Sequence, residues 1–167
     1  MVFCLTWERR KGLCVAESFC FWKNASRDRS GLVNTMSRKD IPSMDEWLKE
    51  AKALPEAEKC GMFLTHNGVV RKTAKAAVRG GEKDVPEVSR MLFSYEAYKV
   101  EKAIEEAQKM PGIYHVRVWL NEGELQVGDD IMYVLIGGDI RPHVVDALQS
   151  LVGTIKNECV SEKEITE

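Results

Sequence analysis

Three basic side chains in the last third of the chain have the clearest potential for chemistry: Arg141, Lys156 and Lys163. Arg141 stands at the start of a helix-like segment, and the two lysines lie seven residues apart near and beyond its end. An arginine at a helix start suits an anion, because guanidinium and free backbone N–H groups can both donate to it. An ammonium group can stabilise an oxyanion or, when desolvated, act as a base or nucleophile. This arrangement predicts an anionic substrate and a carbonyl-type reaction.

Two further residues are candidates for contact with an anion. Arg71 lies beside a glycine-bearing bend, and His143 follows Arg141 closely, where a neutral imidazole can hydrogen-bond to a ligand. For each of these basic residues a purely structural explanation stays open beside the functional one. The position of Arg71 also fits an arginine in a surface salt bridge. The position of Arg141 fits a solvated arginine, and that of Lys156 fits a cation that the helix dipole favours. Lys163, between two glutamates, fits an exposed strand residue.

The composition favours one domain and excludes two classes of partner. The chain has 167 residues, of which 44% are hydrophobic, which suffices for one core. Its formal net charge of -2 gives no global electrostatic reason to expect nucleic-acid binding. No apolar run approaches the roughly 18 residues of a membrane span. We therefore expect a cytoplasmic protein that binds neither nucleic acid nor membrane.

Neither the cysteines nor the histidines have the spacing of a metal site. The five cysteines are odd in number and form no CxxC pair, so they fit neither a zinc ribbon nor a closed set of disulfides. The three histidines, His66, His115 and His143, are scattered along the chain. We expect free thiols in a reducing compartment, with no metal and no other cofactor.

The first 35 residues differ from the rest of the chain. They hold three of the five cysteines and two of the four tryptophans, without a sustained helical or strand period. Met36 follows directly and precedes a polar lead-in to the first well-formed helix. We predict that residues 1–35 are a non-native or disordered extension, that Met36 is the natural start, and that residues 36–167 form a single domain.

Local patterns place the helices that must position the basic residues. The capping-box sequence Ser43 to Glu46 predicts a helix over residues 43–54. Apolar residues with a 3.6-residue period predict helices over residues 99–110 and 142–156. Residues 72–89 are highly charged and contain a Gly-Gly pair, so they predict an exposed and mobile loop.

Five strands follow from β-prone or alternating segments. They are expected at residues 60–70, with a bend or bulge, and at residues 90–98, 113–120, 131–136 and 160–166. The alternation in residues 113–120 predicts a strand with one buried face, and the apolar run 131–136 predicts a central strand. This order of elements predicts an α+β fold in which helices cover a mostly antiparallel sheet.

Several motifs, taken in order, resemble those of the large, catalytic subunit of molybdopterin synthase. They are G-x-V-R at residues 68–71, Y-E-A-Y at 95–98, G-x-L-x-x-G-[DE] at 123–129, Arg141, and the pair Lys156 and Lys163. Each motif alone would recur by chance, but their order and spacing agree from about residue 44 onward. The resemblance implies a fold of the α/β hammerhead type.

The resemblance also implies a function, partners and residue roles. The large subunit would be a homodimer within a heterotetramer, bound to a small ubiquitin-like sulfur carrier that ends in Gly-Gly. The carrier's C-terminal thiocarboxylate would donate sulfur to cyclic pyranopterin monophosphate, which becomes molybdopterin. Arg71 and Arg141, with His143 nearby, would bind the substrate phosphate. Lys156 and Lys163 would be the catalytic residues at the carrier's C-terminal carbonyl.

The chain departs from the family pattern at several positions. Leu120 and Asn121 stand where relatives usually carry a His-Arg pair, and Ile140 replaces the histidine of a second such pair. Each departure removes positive charge or a titratable group from the expected anion pocket. A second interpretation therefore stays open, in which the chain is a non-catalytic paralogue that acts as a binding or regulatory module in molybdenum cofactor metabolism.

Overall fold

Two antiparallel sheets form the framework of the protein in a computed structural model that describes residues 2–4, 40–82 and 84–166. The strands are Val2–Cys4 (β1), Met62–Val69 (β2), Val88–Tyr95 (β3), Ile113–Leu120 (β4), Gly123–Gln126 (β5), Asp130–Gly138 (β6) and Val160–Thr166 (β7). The helices are Met44–Lys52 (α1), Lys75–Gly80 (α2), Ala97–Gln108 (α3) and Arg141–Thr154 (α4), with a 3₁₀ turn at Pro55–Lys59 and a π-helical turn at Ile155–Cys159. One sheet has the order β1-β4-β6-β2 and the other β5-β3-β7. The predicted α+β fold is confirmed.

Most strands lie where the sequence predicts them. Strands β4 and β7 have the predicted bounds, and β6 is central to the larger sheet, between β4 and β2. The bulge predicted in β2 is confirmed by a register shift between Gly68 and Val69 against β6. Strand β5 was not predicted as a strand; it is short and is held by pairing with β3.

The main core lies between the larger sheet and the helices α3 and α4. Alternate residues of β4 and β6 point into it, among them Val116, Val118, Val134 and Ile136. The apolar stripes of both helices face the same core, as their 3.6-residue periods predict. Its fully buried members include Val100, Ile104, Leu120, Met132, Val144, Leu151 and Ile155.

A second apolar cluster covers the opposite face of the larger sheet. Helix α1 begins at Ser43, whose side chain accepts the backbone N–H of Glu46 at 3.3 Å, as the capping-box pattern predicts. The helix buries Trp47 against Trp119 of β4 and Tyr133 of β6. The prediction that β4 has only one buried face is therefore wrong, because α1 covers the face that the main core leaves open.

The segment after β2 contains a helix rather than the predicted loop. Helix α2 is mostly exposed, and a left-handed glycine, Gly81 with φ of +66°, ends it. The backbone N–H of Lys75 at its start donates to both carboxylate oxygens of Glu164 on β7, at 3.2 and 2.9 Å. The loop prediction fails because this stabilising partner lies 89 residues away in the sequence.

The amino-terminal prediction falls largely outside the described residues. Strand β1 pairs with β4 as an edge strand, with Val2 opposite Trp119 and Cys4 opposite Arg117. Residues 5–39 lie outside the described part of the chain. The assignment of residues 1–35 as an extension, and of Met36 as the natural start, stays a prediction.

Candidate functional site

Lys156 lies in the π-helical turn that joins α4 to β7. Its ammonium nitrogen is 3.7 Å from Oε1 of Glu162, whose side chain is only 16% exposed. The other oxygen of the same carboxylate lies 3.8 Å from the Lys75 ammonium of α2. One sheltered carboxylate therefore lies between two ammonium groups. Wide π-turns of this kind interrupt regular helices, frequently at functional sites.

A histidine that the sequence analysis did not place in the site lies near Lys156. The Nε2 atom of His66, on β2, is buried and has no hydrogen-bond partner among the described residues. Burial lowers the pKa of His66, and the charge of Lys156 lowers it further, so the imidazole is neutral at pH 7. The same face of β2 carries Leu64, which packs on the main core. The signal available in the sequence for this residue was a histidine at an inward-facing position of an apolar strand.

Lys163 does not join Lys156. Along β7, Glu162 and Glu164 point toward α2, as their contacts with Lys75 show, while Ser161 and Lys163 are exposed on the other face. Lys163 lines an open hollow of about 440 Å³ on the smaller sheet. The other residues of that hollow are Leu92, Phe93, Ser94, Gly123, Glu124 and Ser161.

Arg71 lies just beyond the end of β2. Its side chain is exposed, and its Nε donates to the backbone carbonyl of Thr73 at 3.0 Å. The preceding residue, Val70, is buried and is held on both sides by backbone hydrogen bonds to Gly128 and Asp129. Arg71 is thus anchored at its backbone, while the terminal guanidinium nitrogens are free of described protein partners.

Arg141 and His143 lie at the start of α4. His143 Nδ1 is 2.7 Å from Oδ1 of Asp139, and the same oxygen accepts the backbone N–H of Ile140 at 2.6 Å. The His143 hydrogen bond lowers the pKa of Asp139. Arg141 is exposed and has no hydrogen-bond or ion-pair partner in the part of the chain that the structure describes. His143 is therefore oriented by Asp139, while Arg141 is available to a ligand.

A glycine makes room for the Asp139 carboxylate. Gly112 has φ of +75°, and a β-carbon there would lie 2.3 Å from Oδ1 of Asp139. The backbone N–H of Asp139 donates to the Gly112 carbonyl at 2.9 Å. Gly112 thus both ends the segment after α3 and fixes the residue that orients His143.

The predicted site residues fall into separate groups within one chain. Arg141 is the first residue of α4 and Lys156 follows the last turn, so about 20 Å of helix separates them. Lys163 lies on the outer face of the smaller sheet. A single copy of the chain therefore does not bring Arg141, Lys156 and Lys163 into one pocket.

The thiols of Cys60 and Cys159 are poorly suited to act as nucleophiles. Burial raises the pKa of the Cys159 thiol, which donates to the carbonyl of Thr154 at 3.7 Å. Burial also raises the pKa of Cys60, and the charge of Asp139 raises it further.

No group of three side chains that could hold a metal ion occurs among the described residues. In that same part of the chain, none of the helices is long and apolar enough to cross a membrane.

Solved structures share this arrangement of two antiparallel sheets and covering helices, which is the fold of molybdopterin synthase large subunits. The chain is similar to molybdopterin synthase from Staphylococcus aureus, with a TM-score of 0.59 and 20% identity over 75% of this chain and 87% of that one. The chain belongs to the MoaE protein family, whose sequence model matches residues 40–158. Family membership supports a role in molybdenum cofactor biosynthesis and confirms the resemblance identified from the motifs.

Two further structures have the same fold. Molybdopterin cofactor biosynthesis protein E from Burkholderia multivorans has a TM-score of 0.57 and 19% identity, covering 77% of this chain and 84% of that one. The complex of subunits 1 and 2 of the molybdopterin-converting factor from Helicobacter pylori has a TM-score of 0.52 and 16% identity, covering 74% and 78%. No curated protein sequence matches the chain. At these identities the structures establish the fold alone.

Proposed function

We propose that this protein is a divergent catalytic subunit of molybdopterin synthase. It transfers sulfur from the C-terminal thiocarboxylate of a small ubiquitin-like carrier to cyclic pyranopterin monophosphate. The observation that carries the proposal is the environment of Lys156, a partly sheltered ammonium group at a π-helical turn. The protein acts in the cytoplasm and uses no bound cofactor.

Lys156 is suited to stabilise negative charge on a carbonyl oxygen. Its side chain is 36% exposed, so a carbonyl group can approach it, and its separation from Glu162 is longer than a strong charge-assisted hydrogen bond. At least one N–H is therefore free to donate to the carrier's C-terminal carbonyl as charge develops there. Glu162 lies beside the ammonium without removing it from reach.

In this proposal the sulfur comes from the carrier and not from Cys60 or Cys159. A cysteine relay would need an accessible thiolate, and burial raises the pKa of both Cys60 and Cys159. The H. pylori structure with the same fold contains two subunits of a molybdopterin-converting factor, which supports a small-subunit partner. The carrier that ends in Gly-Gly would place its terminal carbonyl at Lys156.

In this proposal a second copy of the chain supplies Arg141 to the site that contains Lys156. Arg141 is exposed and unpaired in the described part of the chain, as a phosphate ligand should be before it binds. Because about 20 Å of helix separates it from Lys156, a site that contains both is more easily built when each comes from a different copy. This supports the homodimer expected within a heterotetramer. Arg71 with its free guanidinium nitrogens, and His143 oriented by Asp139, would complete the phosphate contacts.

Lys163 has a different place in this proposal. It lies on the outer face of the smaller sheet, beside Glu124 and Ser161, rather than beside Lys156. In one copy it can contact the carrier or a second chain only across that face. Its catalytic assignment therefore depends on how the subunits assemble.

One observation favours the alternative, a non-catalytic paralogue that acts as a binding or regulatory module. Asn121, at a position where relatives usually carry arginine, is buried and donates to the backbone carbonyl of Asp130 at 2.8 Å. Its side-chain oxygen accepts the backbone N–H of Glu122. The residue is thus committed to holding the turn between β4 and β5 against the start of β6, so its amide is not available to a phosphate.

A sulfur-transfer assay decides between the two functions. The purified chain is mixed with thiocarboxylated carrier and cyclic pyranopterin monophosphate, and molybdopterin is measured by mass spectrometry. Product formation that depends on the chain supports the enzyme. Complex formation with the carrier, seen by size-exclusion chromatography but without product, supports the paralogue.

A further inference from the structure

The carboxylate beside Lys156 is shared with a second ammonium group. Oε1 of Glu162 lies 3.7 Å from the Lys156 ammonium nitrogen, and Oε2 lies 3.8 Å from that of Lys75. Both distances exceed the roughly 2.7–2.9 Å of a charge-assisted hydrogen bond. Oε1 is buried and has no hydrogen-bond partner among the described residues. The carboxylate therefore attracts both ammonium groups by charge but forms a hydrogen bond with neither.

The two ammonium groups are carried by separate elements, each held in place by other contacts. The backbone N–H of Lys75, at the start of α2, donates to the Glu164 carboxylate at 3.2 and 2.9 Å. Lys156 lies in the π-helical turn, whose end residues Ile155 and Cys159 are buried. The lysine side chains thus approach Glu162 from two directions that do not depend on the ion pairs themselves.

The carboxylate of Glu162 is sheltered from water. Its side chain is 16% exposed, and on the neighbouring strand β3 it lies opposite Phe93, a residue of the main core. Charges in such surroundings are screened less by water than charges on an open surface. The two positive charges of Lys75 and Lys156 and the one negative charge of Glu162 leave a net charge of +1 on these three groups. One ammonium is therefore not neutralised.

We infer that Lys75 is a positioning residue, which holds the Glu162 carboxylate away from Lys156 and so keeps the Lys156 ammonium free to bind a developing oxyanion. The inference rests on the proposed function for its catalytic consequence. Without the Lys75 charge, Oε2 loses its counter-charge, and the carboxylate moves to Lys156 and accepts a hydrogen bond from it. Glu162 then neutralises the ammonium before charge develops on the carrier's carbonyl oxygen.

The side chains involved allow substitutions that leave the fold intact. Lys75→Met removes the charge but keeps the backbone N–H that Glu164 accepts, and the native side chain is 52% exposed. Glu162→Gln removes the negative charge at nearly constant shape. Lys72→Met is the matched control, because Lys72 is an exposed lysine of the same segment that pairs with Glu87 at 2.7 Å.

The chemical reactivity of Lys156 tests the inference without any sulfur transfer. Each variant is treated briefly with the N-hydroxysuccinimide ester of acetic acid, and acetylation of Lys156 is measured by peptide mass spectrometry. We expect Lys75→Met to slow this acetylation about two- to fivefold, the effect of one strengthened, partly exposed ion pair, because a closer carboxylate stabilises the unreactive ammonium form. Lys72→Met should leave the rate unchanged. An unchanged rate in Lys75→Met would overturn the inference.

Kinetics then separate positioning from direct binding of a substrate. We expect Lys75→Met to lower kcat about tenfold with little change in KM, since the weakened interaction acts on charge that develops only in the transition state. Lys75→Arg keeps the positive charge and should keep most of kcat.

The double variant with Lys75→Met and Glu162→Gln gives the sharpest result. Because it removes one positive and one negative charge, Lys156 again has no carboxylate to neutralise it, and both kcat and the acetylation rate should recover. A purely structural loss at Lys75 would not be repaired by a second substitution. A raised KM in Lys75→Met that Glu162→Gln does not relieve would show that Lys75 binds a substrate directly, and would overturn the inference.

The two measurements fail in distinguishable ways. If the native chain transfers no sulfur, the proposed function fails, and the acetylation rates still report whether Lys75 holds the carboxylate away from Lys156. If sulfur is transferred with the same kcat in Lys75→Met as in the native chain, the proposed function stands and the positioning role falls. Thermal unfolding of each variant distinguishes a local effect from loss of the fold.

Discussion

The carboxylate of Glu164 on β7 accepts the backbone N–H of Lys75, the first residue of α2, through both of its oxygens. This contact supplies the helix start with the acceptor that a local capping residue would otherwise supply, since Ala74 has none. It also brings Lys75 to the carboxylate of Glu162, which Lys156 shares. The segment next to the candidate site is thus held by a residue from the end of the chain.

Removal of this contact should release α2. We expect Glu164→Ala to destabilise the helix start by about 0.5–2 kcal/mol, as loss of a capping group does. Hydrogen exchange measured by mass spectrometry should then be faster in residues 75–80 and unchanged in α4. Glu158→Ala, which removes an exposed glutamate outside this contact, is the control. Equal exchange of residues 75–80 in both variants would show that Glu164 does not hold the helix.

Lys156 should be required for sulfur transfer. We expect Lys156→Ala to reduce product formation by about a hundredfold or more, the usual effect of removing one oxyanion donor. Lys109→Ala is the control, because Lys109 is exposed and pairs with Glu106 at the end of α3. The measurement is single-turnover molybdopterin formation from thiocarboxylated carrier. Unchanged turnover in Lys156→Ala would remove this residue from the mechanism.

The second apolar cluster should contribute strongly to stability. Trp119 is fully buried between α1 and the larger sheet, in contact with Tyr133. Trp119→Ala should therefore lower the free energy of unfolding by about 3–5 kcal/mol, as large-to-small substitutions in cores do. Leu92→Ala, on the exposed face of the smaller sheet, should change it by less than about 0.5 kcal/mol. Urea denaturation compares the two, and similar losses would argue against a core on the α1 face.

Stability should fall in mild acid because of a buried histidine. Burial lowers the pKa of His115 and nearby Arg117 lowers it further, although Glu56 partly opposes them. The unfolded chain therefore binds a proton near the ordinary pKa of about 6.5, before the folded chain does. The contribution of His115 to stability is complete above that pH and is lost as the pH falls through the folded-state pKa.

Replacement of that histidine tests this dependence. His115→Phe should reduce the loss of stability between pH 7.5 and pH 5, measured by urea denaturation at each pH. Tyr114→Phe, a change at the neighbouring half-exposed position, should keep the loss seen in the native chain. His66, whose pKa is also lowered, contributes in the same direction and leaves part of the loss in place. If His115→Phe loses as much stability between pH 7.5 and pH 5 as the native chain does, the pH dependence comes from other groups.

Local patterns in the sequence determined most of the secondary structure. The serine at the start of α1, the alternation in β4 and the apolar run of β6 each act over a few residues, so they predict their elements from neighbours alone. Ordered motifs from residue 68 to the lysine pair also sufficed to identify the family. The role of Arg141 as an exposed residue at a helix start followed from the same local information.

Only the tertiary structure decided which side chains meet. Lys156 and Lys163 are seven residues apart, a spacing that would put both on one face of a continuous helix. The chain instead changes from a π-helical turn to a strand between them, and the two-residue period of β7 turns Lys163 to the opposite face from Glu162. Lys75, which approaches the Glu162 carboxylate beside Lys156, comes from a distant part of the sequence. Such contacts depend on how the sheets and helices pack, which no short window of sequence contains.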